Sequence, residues 1–173
     1  MRNSRSDVVA AALRVLDEQG LENCSMRRVA AALGVQPSAL YHHVADKQTL
    51  LALMADEILS ERKLRGRDPR TLCISMREAM LAVRDGADVV ATATAFRLGS
   101  SSAERRLAEL VGPDGARTLL LYTFGHAQST QTHLQAVALG ALVDPPSAST
   151  AAELDASFAR GLDVILRGLG GLG

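Results

Sequence analysis

The sequence is poor in the residues that build disulfide scaffolds, metal sites and membrane spans. Only two cysteines occur in 173 residues, Cys24 and Cys73, and neither stands at metal-ligand spacing from another cysteine or a histidine. No disulfide framework or zinc site is expected, and both read as small buried hydrophobes. Tryptophan is absent and aromatics make up 3% of the chain. Ala and Leu dominate over β-branched and aromatic types, which favours helix over strand. No apolar run reaches the roughly 18 residues of a membrane span. The opening residues are polar and charged, unlike a signal-peptide core, so a cytoplasmic location is expected. Basic and acidic residues balance at 19 each. With no overall basic excess, any attraction for nucleic acid has to come from a local patch.

What is present is helical periodicity. Val9, Ala10, Ala12, Leu13 and Leu16 recur at helical spacing over Ser6–Gln19, with Gly20 as the stop. Ser25 caps a short helix through Leu33, whose inward face carries Val29, Ala30 and Leu33, and Gly34 supplies the turn after it. Pro37 suits a first helical position, so a third helix of about two turns extends to about His42. Asp46 caps an amphipathic helix over Lys47–Glu61 with Leu50, Leu51, Leu53, Met54 and Ile58 apolar. Glu61–Arg70 carries five basic residues, a glycine and a proline, which reads as a solvated boundary with the domain border near Leu64.

Beyond that border the pattern predicts helices over Thr71–Val83 and Ala87–Ala95, a loop over Gly99–Ser102, and a short helix over Ala103–Val111. Gly112, Pro113 and Asp114 form a turn that opens a long apolar helix to about Leu139. A loop over Asp144–Thr150 precedes a last helix, Ala151–Leu169, with Leu154, Phe158, Leu162, Ile165 and Leu166 on one side. The expected fold is all-α, with residues 1–64 as a small head, the helix from 47 as its link, and 65–173 as a helical body. Gly168, Gly170 and Gly173 imitate a dinucleotide-binding pattern but follow no strand. His126 and His133 stand two helical turns apart, too far to share a metal.

Met26–His43 has the layout of two short helices crossing at a tight turn. Such a pair suits DNA because the first helix buttresses the second, which presents its N-terminal residues to the major groove. Gln36, Ser38, Tyr41 and His42 lie on faces the core does not need, while Ala39, Leu40 and Val44 can pack inward. The segment Arg27-Arg28-Val29-Ala30-Ala31-Ala32-Leu33-Gly34-Val35-Gln36-Pro37-Ser38-Ala39-Leu40-Tyr41-His42-His43-Val44-Ala45-Asp46-Lys47 resembles the signature of the TetR family. The Leu-Gly-Val turn, Leu40-Tyr41, the histidine-rich end of the recognition helix and the Asp46-Lys47 start of the next helix coincide in order.

That resemblance implies a helix-turn-helix transcriptional regulator: a homodimeric repressor on a palindromic double-stranded operator, released by a small organic effector. By the same resemblance Arg27, Gln36, Pro37 and Ser38 read base edges, joined by the outward His42. Ser25, Tyr41, His43 and Lys47 hold phosphates, helped by the N-terminus of the helix from Lys47. A non-specific structural DNA-binding protein is the alternative, disfavoured by the neutral total charge. A small helical enzyme is the other, and no nucleophile, base and orienter stand in a recognisable spacing for it.

Further along, Val83-Arg84-Asp85-Gly86-Ala87 and Phe124-Gly125-His126 resemble the tetracycline-repressor branch. In that branch a histidine shortly after the Arg-Asp-Gly-Ala segment holds a metal-chelated drug. Here the position falls on Val90, and a further acidic residue of the partner subunit falls near Val137 or Leu139. A metal chelate is therefore not expected, nor any cofactor, and the pocket is expected to suit a greasier ligand. Val90, Thr94, Phe96, Leu98, Phe124, His126, Gln128, Thr130 and Gln131 are the candidate lining, apolar walls with a few hydroxyl, amide and imidazole groups. The helices over about 115–139 and 151–169 carry more apolar surface than a small body can hide. Paired across a two-fold axis they would form a four-helix bundle that spaces two reading heads.

Overall fold

The computed structural model describes residues 4–96, 102–141 and 149–170, with the side chains of 149 and 150 left aside. Of the expected loops over Gly99–Ser102 and Asp144–Thr150, residues 99–101 and 144–148 lie outside the described ones, as does Leu98, while Ser102, Ser149 and Thr150 belong to helices instead. Among the described residues all regular structure is helical: α1 (Arg5–Gln19), α2 (Met26–Ala32), α3 (Pro37–Leu40), α4 (Lys47–Ile58), α5 (Pro69–Leu81), α6 (Gly86–Ala95), α7 (Ser102–Ala138) and α8 (Ser149–Gly170). They group into two compact units, Met1–Ser60 with Ala79–Ser101, and Glu61–Glu78 with Ser102–Gly173.

In the first unit α1 starts at a capping box. The Ser4 hydroxyl accepts the Asp7 N–H, and the Asp7 carboxylate accepts the Ser4 N–H at 2.7 Å, which satisfies two of the helix's orphan donors. Its buried stripe is Val8, Val9, Ala11, Ala12, Val15 and Leu16. Ala10 is exposed and Leu13 only half-buried, against the expected register, because α1 packs on both α2 and α4 and its buried face is turned toward the pair. α4 lies along α6 and α1 and buries Leu50, Leu51, Met54, Ala55 and Ile58. It stops at Ile58, earlier than the expected Glu61. The Leu59 N–H still bonds Ala55 O at 2.9 Å, and Glu61, Arg62 and Lys63 beyond it are exposed.

In the second unit α5 begins before the expected Thr71. Asp68 accepts the Thr71 N–H at 2.9 Å and Pro69 takes the first helical position, the combination that opens a helix without a donor to satisfy. α7 is broken where Gly112 stands at φ 75° and ψ 167°. The expected pair of helices around Gly112-Pro113 is therefore present. α8 packs on α7, and Gly161 lets the two approach: a Cβ there would strike the Tyr122 hydroxyl. Leu107, Leu119, Phe124, Ala127, Phe158 and Leu162 are buried in this unit.

Candidate nucleic-acid interface and effector residues

The Ser25 hydroxyl accepts the Arg28 N–H at 3.3 Å to cap α2, and its own proton remains available to a phosphate. α2 closes through Gly34 N–H to Ala31 O and Val35 N–H to Ala30 O, both 3.0 Å. The turn needs Gly34 at φ 67°, a left-handed conformation that costs glycine little. Pro37 then opens α3. The Gln36 side chain makes no capping bond, which leaves its amide free for a base edge.

α3 is one helical turn, shorter than expected, followed by turns in which His43 and Val44 N–H both bond Leu40 O. Leu40 and Val44, each 1% exposed, root it in the core. Arg5 Nε donates to His43 O at 3.3 Å, so the N-terminus of α1 braces the far end of the turn. With the root fixed, Arg27, Gln36, Ser38, Tyr41, His42 and Lys47 are exposed, and Ser25, Pro37 and His43 are half-buried. The Arg28 guanidinium is bound to the Gln19 amide oxygen, whereas Arg27 is exposed.

Electrostatically this head is spare. Residues 1–60 hold six Lys or Arg and seven Asp or Glu, so attraction to a phosphate backbone rests on where the cations stand, not on their surplus. Asp46, at the start of α4, accepts the Thr49 N–H at 2.7 Å, and that bond holds its carboxyl below the usual range. Lys47 follows directly, so the α4 N-terminus offers a cation beside a helix end one of whose amides is already satisfied.

The candidate effector residues are divided between the units. In the first, Val90 is 1% exposed. The Thr94 hydroxyl donates to Val90 O at 2.9 Å, within its own helix. Phe96, at the C-cap of α6 beyond the last buried turn, is 56% exposed. In the second, Phe124, Thr130 and Gln131 are buried, His126 is half-buried, and Gln128 is exposed. The expected inward orientation thus fails at Phe96, where the helix has run out, and at Gln128, one residue round the helix from buried Ala127.

Two functional-looking groups escaped the sequence reading. Arg77 on α5 is buried and bonds Asp155, His126 and Thr130. Its signal was a cation inside an apolar stripe, four residues after Cys73 and three before Met80. Burial and the Arg77 charge push the His126 imidazole below its usual range. The other is the role of Arg84-Asp85, visible in the sequence only as part of a family-like string, which binds the end of α1. Cys24 and Cys73 are both buried; burial raises the Cys73 thiol to about 11, so it is an unreactive core residue.

A short proline-opened helix rooted by one leucine, presenting polar side chains behind a glycine turn, defines a helix-turn-helix protein. Residues 8–54 match the family model of bacterial regulatory proteins, tetR family. The tetracycline repressor protein class E of Escherichia coli is 36% identical over 95 residues, 50% of this chain and 45% of that protein. The match thus spans about half the length of that curated relative. Among solved structures, BioQ of Mycobacterium smegmatis superposes with a TM-score of 0.84 at 31% identity, covering 99% of both chains. BioQ with its natural double-stranded DNA operator gives 0.73 at 29%, over 96% of this chain and 98% of that one. The chain belongs to the tetR family of regulators.

Proposed function

We propose that the protein is a homodimeric transcriptional repressor that reads a palindromic operator through α3 and is released by a small organic effector. The observation that carries this is α3 itself, held by Leu40 while Gln36, Ser38, Tyr41 and His42 stand exposed on one short turn. The likeness to BioQ, solved with its operator, supports the same reading. Arg27, Gln36, Pro37, Ser38 and His42 are assigned to base edges, and Ser25, Tyr41, His43 and Lys47 to phosphates.

The DNA-reading part is assigned to residues 1–64 and the effector and dimer part to 65–173. Leu121, Leu134 and Val164, exposed on α7 and α8, supply apolar surface for a second copy. Val90 stands where a metal-binding histidine would be needed, so the effector is not a metal chelate. It acts only if it binds the operator-competent and released arrangements unequally. The protein works in the cytoplasm and catalyses no reaction.

A gel shift on the palindrome upstream of its own gene tests the proposal, with wild type and Arg27→Ala side by side. A retarded band at two protomers per palindrome, weakened in the variant, is the expected result. No retardation at micromolar protein would overturn the regulator reading, and equal binding by both would remove Arg27 from the reading set.

A further inference from the structure

Arg77 stands where α5 buries apolar side chains. Leu72, Cys73, Met76 and Met80 are all fully buried on that helix, and Arg77 is itself 5% exposed. A guanidinium in such surroundings keeps its charge, so anions and acceptors have to meet it. They meet it incompletely. Nη1 donates to Asp155 Oδ1 at 2.7 Å, but the bonds from Nε to His126 Nδ1 and from Nη2 to Thr130 Oγ1 are both 3.4 Å, longer than well-formed N–H bonds. A carboxylate satisfies a guanidinium best through two parallel bonds. Asp155 reaches it at one oxygen, and its side chain is 67% exposed against 6% for Arg77, so this carboxylate keeps most of its water.

The remaining walls are aromatic. The guanidinium carbon lies 5.1 Å from the centre of the Phe158 ring. Tyr122 stacks on Phe158 at 5.4 Å with 1° between the planes, and His126 tilts against it at 5.0 Å. Asp155 stands nine residues before Val164, which places the two on opposite sides of α8. The side carrying exposed Val164 is thus open to a second copy without covering Asp155.

We infer that Arg77 anchors an anion site in the second unit, which takes the carboxylate of a small aromatic acid in exchange for Asp155. The incoming acid makes the paired bonds that Asp155 does not make, and its ring lies against the half-buried Tyr122 and His126, which cover the buried Phe158. Displacing Asp155 also undoes one of the two ion pairs that join α5 to α8, leaving Arg70 on Asp163, so the acid binds the arrangements with and without the Arg77–Asp155 tie unequally, as an effector has to. This rests on reading residues 65–173 as the effector part, and it names the chemical class of the effector.

The test is isothermal titration of the full chain with benzoate, salicylate and 2-naphthoate, each beside its neutral amide. At least one acid is expected to bind, with its amide about tenfold weaker or worse. Asp155→Asn removes the internal competitor and is expected to tighten the acid by about threefold or more, while Arg77→Gln abolishes binding. Should Arg77→Gln fail to fold by circular dichroism, the surface variant Asp155→Asn decides alone. The inference is overturned if none of the three acids binds, if the amides bind equally well, or if Asp155→Asn leaves acid affinity unchanged. Operator retardation, measured on the same samples without acid, separates the two readings: inert acids with a retarded operator sink the anion site alone.

Discussion

The Leu21 N–H donates to Asp85 Oδ2 at 2.8 Å across 64 residues of chain. Next to it, Arg84 Nη1 donates to Asp17 O and Glu18 O at 3.2 Å each. The end of α1 and the start of α6 are therefore stitched together by one dipeptide, its acid accepting from the first amide past Gly20 and its base donating to two of the helix's last carbonyls. Gly20 permits the approach, since a Cβ there would stand 3.1 Å from Asp85 Oδ2. Asp85 itself sits at φ 53°, where few side chains are comfortable.

Replacing Asp85 by Ala leaves that amide without its acceptor in a partly buried place, at an expected cost of about 1–3 kcal/mol. Asp85→Asn keeps an acceptor oxygen and tolerates the left-handed backbone, so it costs less. Urea denaturation of both variants checks the order, and an Ala variant as stable as wild type would show the bond contributes nothing.

The root and tip of α3 separate stability from recognition. Leu40→Ala empties a buried site and is expected to destabilise the protein by about 2–5 kcal/mol. Tyr41→Phe, at a residue 54% exposed, should leave the denaturation midpoint in place while weakening operator binding through a lost phosphate bond. A Tyr41→Phe protein that binds as tightly as wild type would make Tyr41 a packing residue only.

These local features were legible because each is written within a few residues. The cap, glycine turn and proline that place α3, and the Gly112-Pro113 break in α7, depend on neighbours in sequence and on backbone chemistry. What escaped was long-range. Asp85 was readable as part of a family-like string, but its role depends on Leu21, and Arg77 depends on an acid 78 residues away. Periodicity marks which face of a helix turns inward without saying what waits there. Ala10 shows the same limit: it lies on an apolar face by spacing, yet faces solvent because two helices, not one, set the orientation of α1.

Lys47 and Arg27 should fail differently. A phosphate contact contributes to every sequence alike, so Lys47→Ala is expected to weaken operator and scrambled duplex together and to lower the salt slope of log K by about one. A base contact contributes only to the right site, so Arg27→Ala should lose about 1–3 kcal/mol of discrimination between operator and a mutated half-site. Fluorescence anisotropy at several salt concentrations on three duplexes distinguishes them. If both variants changed only the slope, Arg27 would belong with the phosphate group.

His126 makes the second unit sensitive to acid. Burial and the positive Arg77 hold its imidazole below the ordinary 6.5, with nearby Asp155 opposing the shift only in part. The unfolded chain therefore takes up the proton before the folded one does. Stability is fully present above pH 6.5 and is lost as the pH falls through the lowered folded value. Urea midpoints taken from pH 7.5 down to 5.5 should decline, and His126→Gln, which carries no titrating ring, should decline less over the same interval. Parallel curves for the two proteins would assign the acid sensitivity to other groups and leave His126 a neutral acceptor of the Arg77 N–H at every pH tested.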